Sequence, residues 1–395
     1  MGSCAMNVFR RLPLSRLLIS CALFVAVGVS VTALASAVSS GPTPPAKPLA
    51  NAVHDALTAA PVEGVSANIT LTNHLIEGAN LASAGGQGGE VPGSALLNGG
   101  SGRMWIAKDG RVRLELQSEK GDTQVIYDGH TVSLYDASSN TLYRYTPSKS
   151  ESLTAYAPLA KSGASTANKP AGKSASSPDE TPSVAKIEEA ITHAEEHAKL
   201  SGATPATVAG QPAYTVRVSP KEGGSLLGGA ELSFDSVHGV PLRTAIYSST
   251  SSSPVIELAA TEVSYGPVAS SVFSFTPPTG AKIEELKMPT SAAAKASKHA
   301  AKGAAKGASA EKPAVATHGN GLSSIAVLES KVKAGSKGSS SSALESLPKV
   351  PINGTSASEL RTALGTILTF QRSGVRYVLA GSVTPAAIEA LAKGL

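Results

Sequence analysis

The chain has 395 residues, 42% of them hydrophobic, so it is long enough to bury a sizeable core and, by length alone, to form two or three domains. Only 4% are aromatic, and 38 Gly and 25 Pro accompany several Ala/Ser/Lys-rich tracts, which predicts a folded part much smaller than the whole. Residues 1–37 hold three Arg and no acid, leaving +2 of the net charge of +5 to the rest, a balance that argues against a general nucleic-acid-binding surface.

Arg10, Arg11 and Arg16 precede an uncharged apolar run from Leu17 to Val38 that contains Ala35-Ser36-Ala37. This is the charge order of an export signal over residues 1–40. The run is at the long end for a cleaved signal and also long enough to span a bilayer. Two readings therefore stand side by side: cleavage after Ala37, or retention of residues 17–38 as an anchor. In both, the remainder lies outside the cytoplasmic membrane, in the periplasm or an equivalent extracytoplasmic space. Cys4 and Cys21 both fall in or before this segment, so the exported part contains no disulfide and no thiolate metal site. Cys21 opens the apolar run instead of closing it, which is the wrong place for lipid attachment.

After Gly41-Pro42-Thr43-Pro44-Pro45, the residues Leu49, Val53, Ala56, Leu57 and Ala60 recur at helical spacing up to Pro61. Val65, Ala67, Ile69 and Leu71 then alternate with polar residues, as in a strand with one buried face. Residues 78–102 read as a Gly-rich, disordered insertion. Beyond it, Gly102 to Pro147 reads as five short strands broken at Asp109-Gly110, Lys120-Gly121, Asp128-Gly129 and Ser138-Ser139-Asn140. Turns about ten residues apart leave no room for crossover helices, so sequential antiparallel pairing is expected. One face is apolar throughout, with Val112, Leu114 and Leu116 alternating with Arg111, Arg113 and Glu115.

Residues 148–183 are a Ser/Ala/Lys/Pro tract without periodicity, read as a second disordered insertion. Thr181 or Ser183 is placed to cap a helix from Val184 to Leu200. Six strands follow, over 206–209, 213–219, 230–235, 241–248, 255–264 and 272–275. About a dozen strands should wrap into a strongly curved sheet or open barrel. Residues 286–321 read as an Ala/Lys-rich linker, and 322–395 as a small C-terminal module with strands at 325–329, 350–353, 367–372 and 375–380. Its closing helix, 385–393, starts at Thr384-Pro385. The expected fold class is α+β: a curved antiparallel sheet, half-open as a barrel and covered by helices, followed by a small α+β unit.

The segment 46–285 resembles the lipoprotein-carrier (LolA-like) family of envelope lipid-binding proteins. The residues that carry the likeness are Arg111-Val112-Arg113-Leu114-Glu115-Leu116, the run from Gln124 to Asp136 with its Asp128-Gly129 turn, Gly210-Gln211-Pro212-Ala213-Tyr214, and Phe273-Ser274-Phe275-Thr276-Pro277-Pro278-Thr279-Gly280. The tail, through Gly374 to Gly381 and the terminal helix, resembles the C-terminal module of membrane-associated regulators. The resemblance implies an incomplete barrel holding an acyl chain, without a cofactor. Met104, Ile106, Val112, Leu114, Leu116, Val125, Val132 and Leu134 would line that cavity, where each buried methylene contributes about 0.8 kcal/mol. The same residues equally describe a packed core. Arg113 is placed either to meet a ligand headgroup or to latch a helix as a lid over the cavity, and an outward, solvated arginine is the plainer reading.

Catalytic motifs are sparse. His193-Ala194-Glu195-Glu196-His197 matches H-x-x-E-H, in which helical histidines share a zinc ion, but it lacks an evident third ligand and reads as a solvated helix face. Gly172-Lys173-Ser174 lacks the first glycine of a phosphate loop. No G-x-S-x-G elbow is present. The expected function is therefore non-enzymatic: carriage or binding of lipid or lipoprotein acyl chains at the membrane. The alternative is a membrane-tethered sensor that binds an envelope protein such as an anti-sigma factor.

Overall fold

A computed structural model describes residues 41–75, 94–119, 121–146, 181–286, 314–331 and 347–395. The segment 1–40, the tract 147–180 and most of both the Gly-rich insertion and the linker lie outside the described residues. Among the described residues no helix is long and apolar enough to cross a membrane; the run 17–38 is not among them.

Thirteen strands form one sheet. Strand β1 (Gly64–Asn73) is followed by the meander β2 (Gly100–Ala107), β3 (Val112–Gln117), β4 (Thr123–Tyr127), β5 (Val132–Asp136) and β6 (Thr141–Tyr145). Each pairs antiparallel with the next, as the turn spacing predicts. The second run comprises β7 (Ala198–Leu200), β8 (Thr204–Val208), β9 (Gln211–Pro220), β10 (Leu227–Asp235), β11 (Pro241–Ser248) and β12 (Pro254–Tyr265). β12 returns to pair with β1, so the two runs fuse. The final strand, β13 (Lys282–Glu285), lies parallel to β6 at the far edge. The sheet does not close into a barrel: β13 ends one side and β7 with β8 the other.

Short helices supply the cover. Helix α1 (Leu49–Thr58) packs Ala52 and Leu49 onto Tyr214, Val216, Val218 and Phe234. It approaches the β10–β11 turn so closely that a Cβ on Gly239 would lie 2.3 Å from the Ala56 carbonyl oxygen. Helix α2 (Ser94–Asn98) sits on the same face, with Ala95 fully buried beside Leu116 and Ile69. Helix α3 (Val184–Glu195) starts at Ser183, whose hydroxyl accepts from the Lys186 N–H at 3.4 Å.

Several boundaries differ from the sequence reading. The expected insertion 78–102 ends in α2 and the start of β2. The helix expected to reach Leu200 stops at Glu195, because Ala198–Leu200 finds a free edge on β9 and gains a ladder there. Residues 270–273 form a 3-10 turn and not a strand, while β13 was unforeseen.

The C-terminal residues form a separate six-stranded antiparallel sheet in the order β14 (Ala314–His318), β15 (Ile325–Lys331), β19 (Val375–Gly381), β18 (Gly365–Arg372), β17 (Thr355–Thr362) and β16 (Lys349–Ile352). β14 lies inside the stretch read as linker. Helix α4 (Pro385–Gly394) covers one face through Ile388 and Ala392, against Val327, Leu368 and Leu379. Its Thr384 cap accepts from the Ala387 N–H at 3.4 Å. Ser373 and Gly374 both have positive φ, the geometry of a two-residue type I′ hairpin.

Strand β3 leaves no room for a side chain on β2 at Gly102, where an added Cβ would stand 1.8 Å from the Glu115 carbonyl oxygen. Gly102→Ala should therefore force the ladder apart and lower stability by about 1–3 kcal/mol, read as a drop in the urea midpoint; an unchanged midpoint would mean the strands separate freely here.

Candidate functional site

The cross-strand register brings the eight apolar residues singled out from the sequence onto one face, in rows. Met104, Leu114, Val125 and Leu134 stand opposite one another along one row, and Ile106, Val112 and Val132 along the next, with Tyr127 between the last two. Leu116 pairs across with Gly102. The rows are not uniform in depth. Leu116 is fully buried, and Met104, Ile106 and Leu114 pack into one cluster with Val65, Ile69, Ala95 and Leu96. Met104, Ile106 and Leu114 are themselves half-buried, so this cluster lies over β1–β3 without sealing it from solvent. Val112, Val125, Val132 and Leu134 are half-buried and lie toward the open end of the sheet.

Three residues of this face were not singled out from the sequence. Tyr127, Tyr143 and Tyr145 continue the rows opposite Val112, Leu134 and Val132 respectively. Tyr127 donates to the Gly129 carbonyl at 2.9 Å, and burial, then the Asp128 charge, raises its phenol above the ordinary value. Their strand alternation was visible, but pairing partners had to be known before the tyrosines joined the aliphatic set.

Arg113 faces the opposite side of the sheet and is held internally. Its guanidinium donates to the carbonyls of Val272 (2.9 Å) and Ser274 (3.4 Å), to Gln124 Oε1 (2.9 Å) and to Glu115 Oε1 (2.7 Å). Arg111 lies over the Phe273 ring at 4.8 Å, and Phe275 meets Tyr135 at 5.4 Å. These contacts fasten the strap 266–281, which carries the chain from β12 to β13 across this face. Arg113 thus holds a strap on the face opposite the apolar rows.

The strap face is polar elsewhere. Arg243 bridges Glu231 and Glu257 and donates to Tyr247 Oη at 3.1 Å. Arg217 stacks over the Tyr247 ring at 4.2 Å. Between this network and Arg113 an open recess of about 460 Å³ is lined by Asn68, Thr70, Ser101, Arg103, Glu115 and Gln117, among others. Its lining carries the charged side chains of Arg103 and Glu115 beside Ile69 and Gly102.

Asp235 closes β10 with its side chain 1% exposed. It accepts from Tyr265 Oη at 2.7 Å and from the N–H groups of Val237 and His238, with His238 Nδ1 at 3.2 Å. Burial by itself would raise its pKa, but these donors outweigh burial and hold the carboxyl below the usual range. Burial, followed by the bond to Asp235, pushes the Tyr265 phenol well above its ordinary value.

His193 and His197 do not share a helical face, because α3 ends at Glu195. Their rings stand 6.3 Å apart, and His193 Nδ1 pairs with Glu196 at 3.0 Å. Among the described residues no three His, Cys, Asp or Glu side chains are grouped to hold a metal. Gly172–Ser174 lies outside the described residues.

No protein-family model and no curated protein matches the chain. Among solved structures, the Pseudomonas aeruginosa MucA/MucB complex aligns over 87% of this chain and 95% of the other at 14% identity, with a TM-score of 0.39. MucB in complex with MucA(peri) aligns over 87% and 94% at 13% identity, with a TM-score of 0.38. An uncharacterized conserved protein from Thermus thermophilus aligns over 60% of this chain and 97% of its own at 10% identity, with a TM-score of 0.32. Likenesses of this extent lend no residue role to the present chain.

The burial gradient along the apolar rows is testable by stability. Leu116→Ala should cost about 2–5 kcal/mol in denaturant unfolding, whereas Val132→Ala should cost under about 1.5 kcal/mol, since its surroundings are already open to solvent. Equal losses would mean that the whole face is core. A second measurement concerns acid. The folded pKa of Asp235 lies below its unfolded value, so its contribution is complete above the unfolded value and disappears as pH falls through the folded one. Asp235→Asn should be less stable than the parent at neutral pH, and the difference should shrink below about pH 4.

Proposed function

We propose that this chain is an exported, non-enzymatic binding protein that captures a protein partner, such as an anti-sigma factor, with its C-terminal module as the contact unit. The observation that carries this reading is the junction between the two sheets. The Leu226 N–H donates to the Ser382 carbonyl at 2.7 Å, and the Leu227 N–H donates to the Ser382 hydroxyl at 3.1 Å. Ser225 Oγ donates to the same hydroxyl at 3.1 Å, and the Ala363 N–H donates to the Leu75 carbonyl at 3.2 Å. Such bonds hold the module at a fixed place on the larger sheet, so that both present one surface. The cluster that Met104, Ile106, Leu114 and Leu116 form with Ile69 and Ala95 occupies space that a deep acyl-binding cavity would need, which supports partner capture. Export rests on Arg10, Arg11, Arg16 and the apolar run that follows.

A second reading has its own support. Val112, Val125, Val132 and Leu134, half-buried beside Tyr127, Tyr143 and Tyr145, offer a shallow apolar bed to a lipid or lipoprotein acyl chain. That bed would accept a ligand from the membrane side without enclosing it.

Affinity capture with the full chain from solubilised envelopes, followed by mass spectrometry of proteins and extracted lipids, separates the two. Partner capture should be lost on deleting residues 322–395 and weakened by Leu322→Asp, which alters an exposed side chain and leaves the core intact. Capture that survives both changes overturns the contact-module reading. A co-purified lipid that disappears in Leu134→Asp, with protein capture unchanged, would favour the second.

A further inference from the structure

We propose that the recess on the strap face is a saccharide-binding site, with Trp105 as its aromatic platform and Arg103 as its principal hydrogen-bond donor. Trp105 is the only tryptophan of the chain. On β2 it stands opposite Ser66 of β1 and Arg113 of β3, a register that puts its side chain on the strap face with Arg113. There it is half-buried, and it is absent from the core clusters that its neighbours Met104 and Ile106 join. Core packing therefore does not account for this ring.

Arg103 lies on the same face of β2, roughly 7 Å along the strand from Trp105, and lines the recess. Arg113, Arg217 and Arg243 on this face are each engaged by protein groups. The Arg103 guanidinium, in contrast, forms no hydrogen bond or ion pair among the described residues, and the Trp105 indole N–H has no acceptor there. Acceptors stand on both sides of Arg103. Glu115 is opposite it on β3, and Asn68, opposite it on β1, donates Nδ2 to Glu262 at 2.7 Å, which leaves Asn68 Oδ1 as an acceptor. Ser101, Gln117 and Thr261 add groups that both donate and accept. Thr261 is the unpaired residue of the β12 bulge, a device that bends a strand and re-aims its side chains beside binding sites.

This mixture selects the ligand class. A pyranose ring carries C–H groups on its faces, which pack on an aromatic ring, and hydroxyls around its rim, each of which calls for a donor and an acceptor. An anion would be drawn to Arg103 but would also meet Glu115 and Glu262 on either side of it. An acyl chain would cover the guanidinium without offering it an acceptor, and a desolvated, unpaired charge is costly. The recess, at about 460 Å³, is within the range of small-molecule sites, and its open form admits a short oligosaccharide. The inference is independent of both functional readings above, because it uses none of the residues on which they rest.

Trp105 reports on the site directly, since no other indole contributes to the emission of the full chain. Titration with chitotetraose, cellotetraose and maltotetraose should give, with at least one of them, a saturable shift of that emission at millimolar concentration. Arg103→Ala should weaken binding of that sugar about tenfold, as expected for loss of a charged hydrogen-bond donor, and Gln117→Ala severalfold, each with unchanged circular dichroism. Calorimetric titration of Trp105→Ala should show the same loss without relying on fluorescence. Leu322→Asp in the C-terminal unit should leave the sugar titration unaltered, so that failure of partner capture and failure of this site are told apart. The proposal is overturned by emission that responds to none of the three sugars, by a response that Arg103→Ala and Gln117→Ala leave unchanged, or by a shift with laurate that the sugars do not displace.

Discussion

The pairing of β1 with β12 is the constraint on which the larger sheet depends. β1 is flanked by β2 on one side and by β12 on the other, a partner almost two hundred residues away in sequence. Without that pair the chain holds two independent meanders, each with open edges. With it, the apolar faces of both runs become continuous, and one set of short helices covers both. The register shift between Asn68 and Ile69 keeps this alignment, because the extra residue on β12 lets Val263 and Tyr265 share a face with Ala260 and Leu258, opposite the alternating Val65, Ala67, Ile69 and Leu71 of β1. Closing so long a loop costs little more than closing one half its length, since the entropy grows only with the logarithm of loop size.

From this seam follow two unlike faces. On the helix side, aliphatic residues of β1–β3 are packed against α2 and Val62, and the half-buried Val125, Val132 and Leu134 of β4 and β5 stand outside that cluster. On the other side the strap from β12 to β13 is tied down by Arg113 and the rings of Phe273 and Phe275. Polar strand positions there find partners in neighbouring strands, as Arg243 does with Glu231 and Glu257. A buried charge is tolerated in such places because its donors or counter-ions replace water, and Asp235, with Tyr265 and two backbone N–H groups, is the clearest case.

The C-terminal sheet solves the same problem on a smaller scale. α4 covers one apolar face, and the junction at Ser382 fixes the unit to the β10 end of the larger sheet. On the opposite face Val315 and Leu328 remain exposed beside a strand without charged residues.

The sequence by itself determined the local structure: five strands between Gly100 and Tyr145, the turns at Asp109-Gly110 and Asp128-Gly129, and the caps at Ser183 and Thr384. These are legible because alternation and turn chemistry act within a few residues. It also placed the eight apolar residues on one side of their strands. Strand β17 escaped notice because Ser and Thr fill much of it, although Asn353-Gly354, both at positive φ, marked its hairpin with β16. β7, β13 and β14 were equally hidden, since each is short and becomes a strand by joining an edge supplied from elsewhere. The tertiary structure alone decided which apolar residues are core and which lie open, that Arg113 is committed to the strap, and that His193 and His197 lack a common helical face. Those outcomes depend on what packs over a strand and where a helix stops, and neither is encoded in the spacing of the residues themselves.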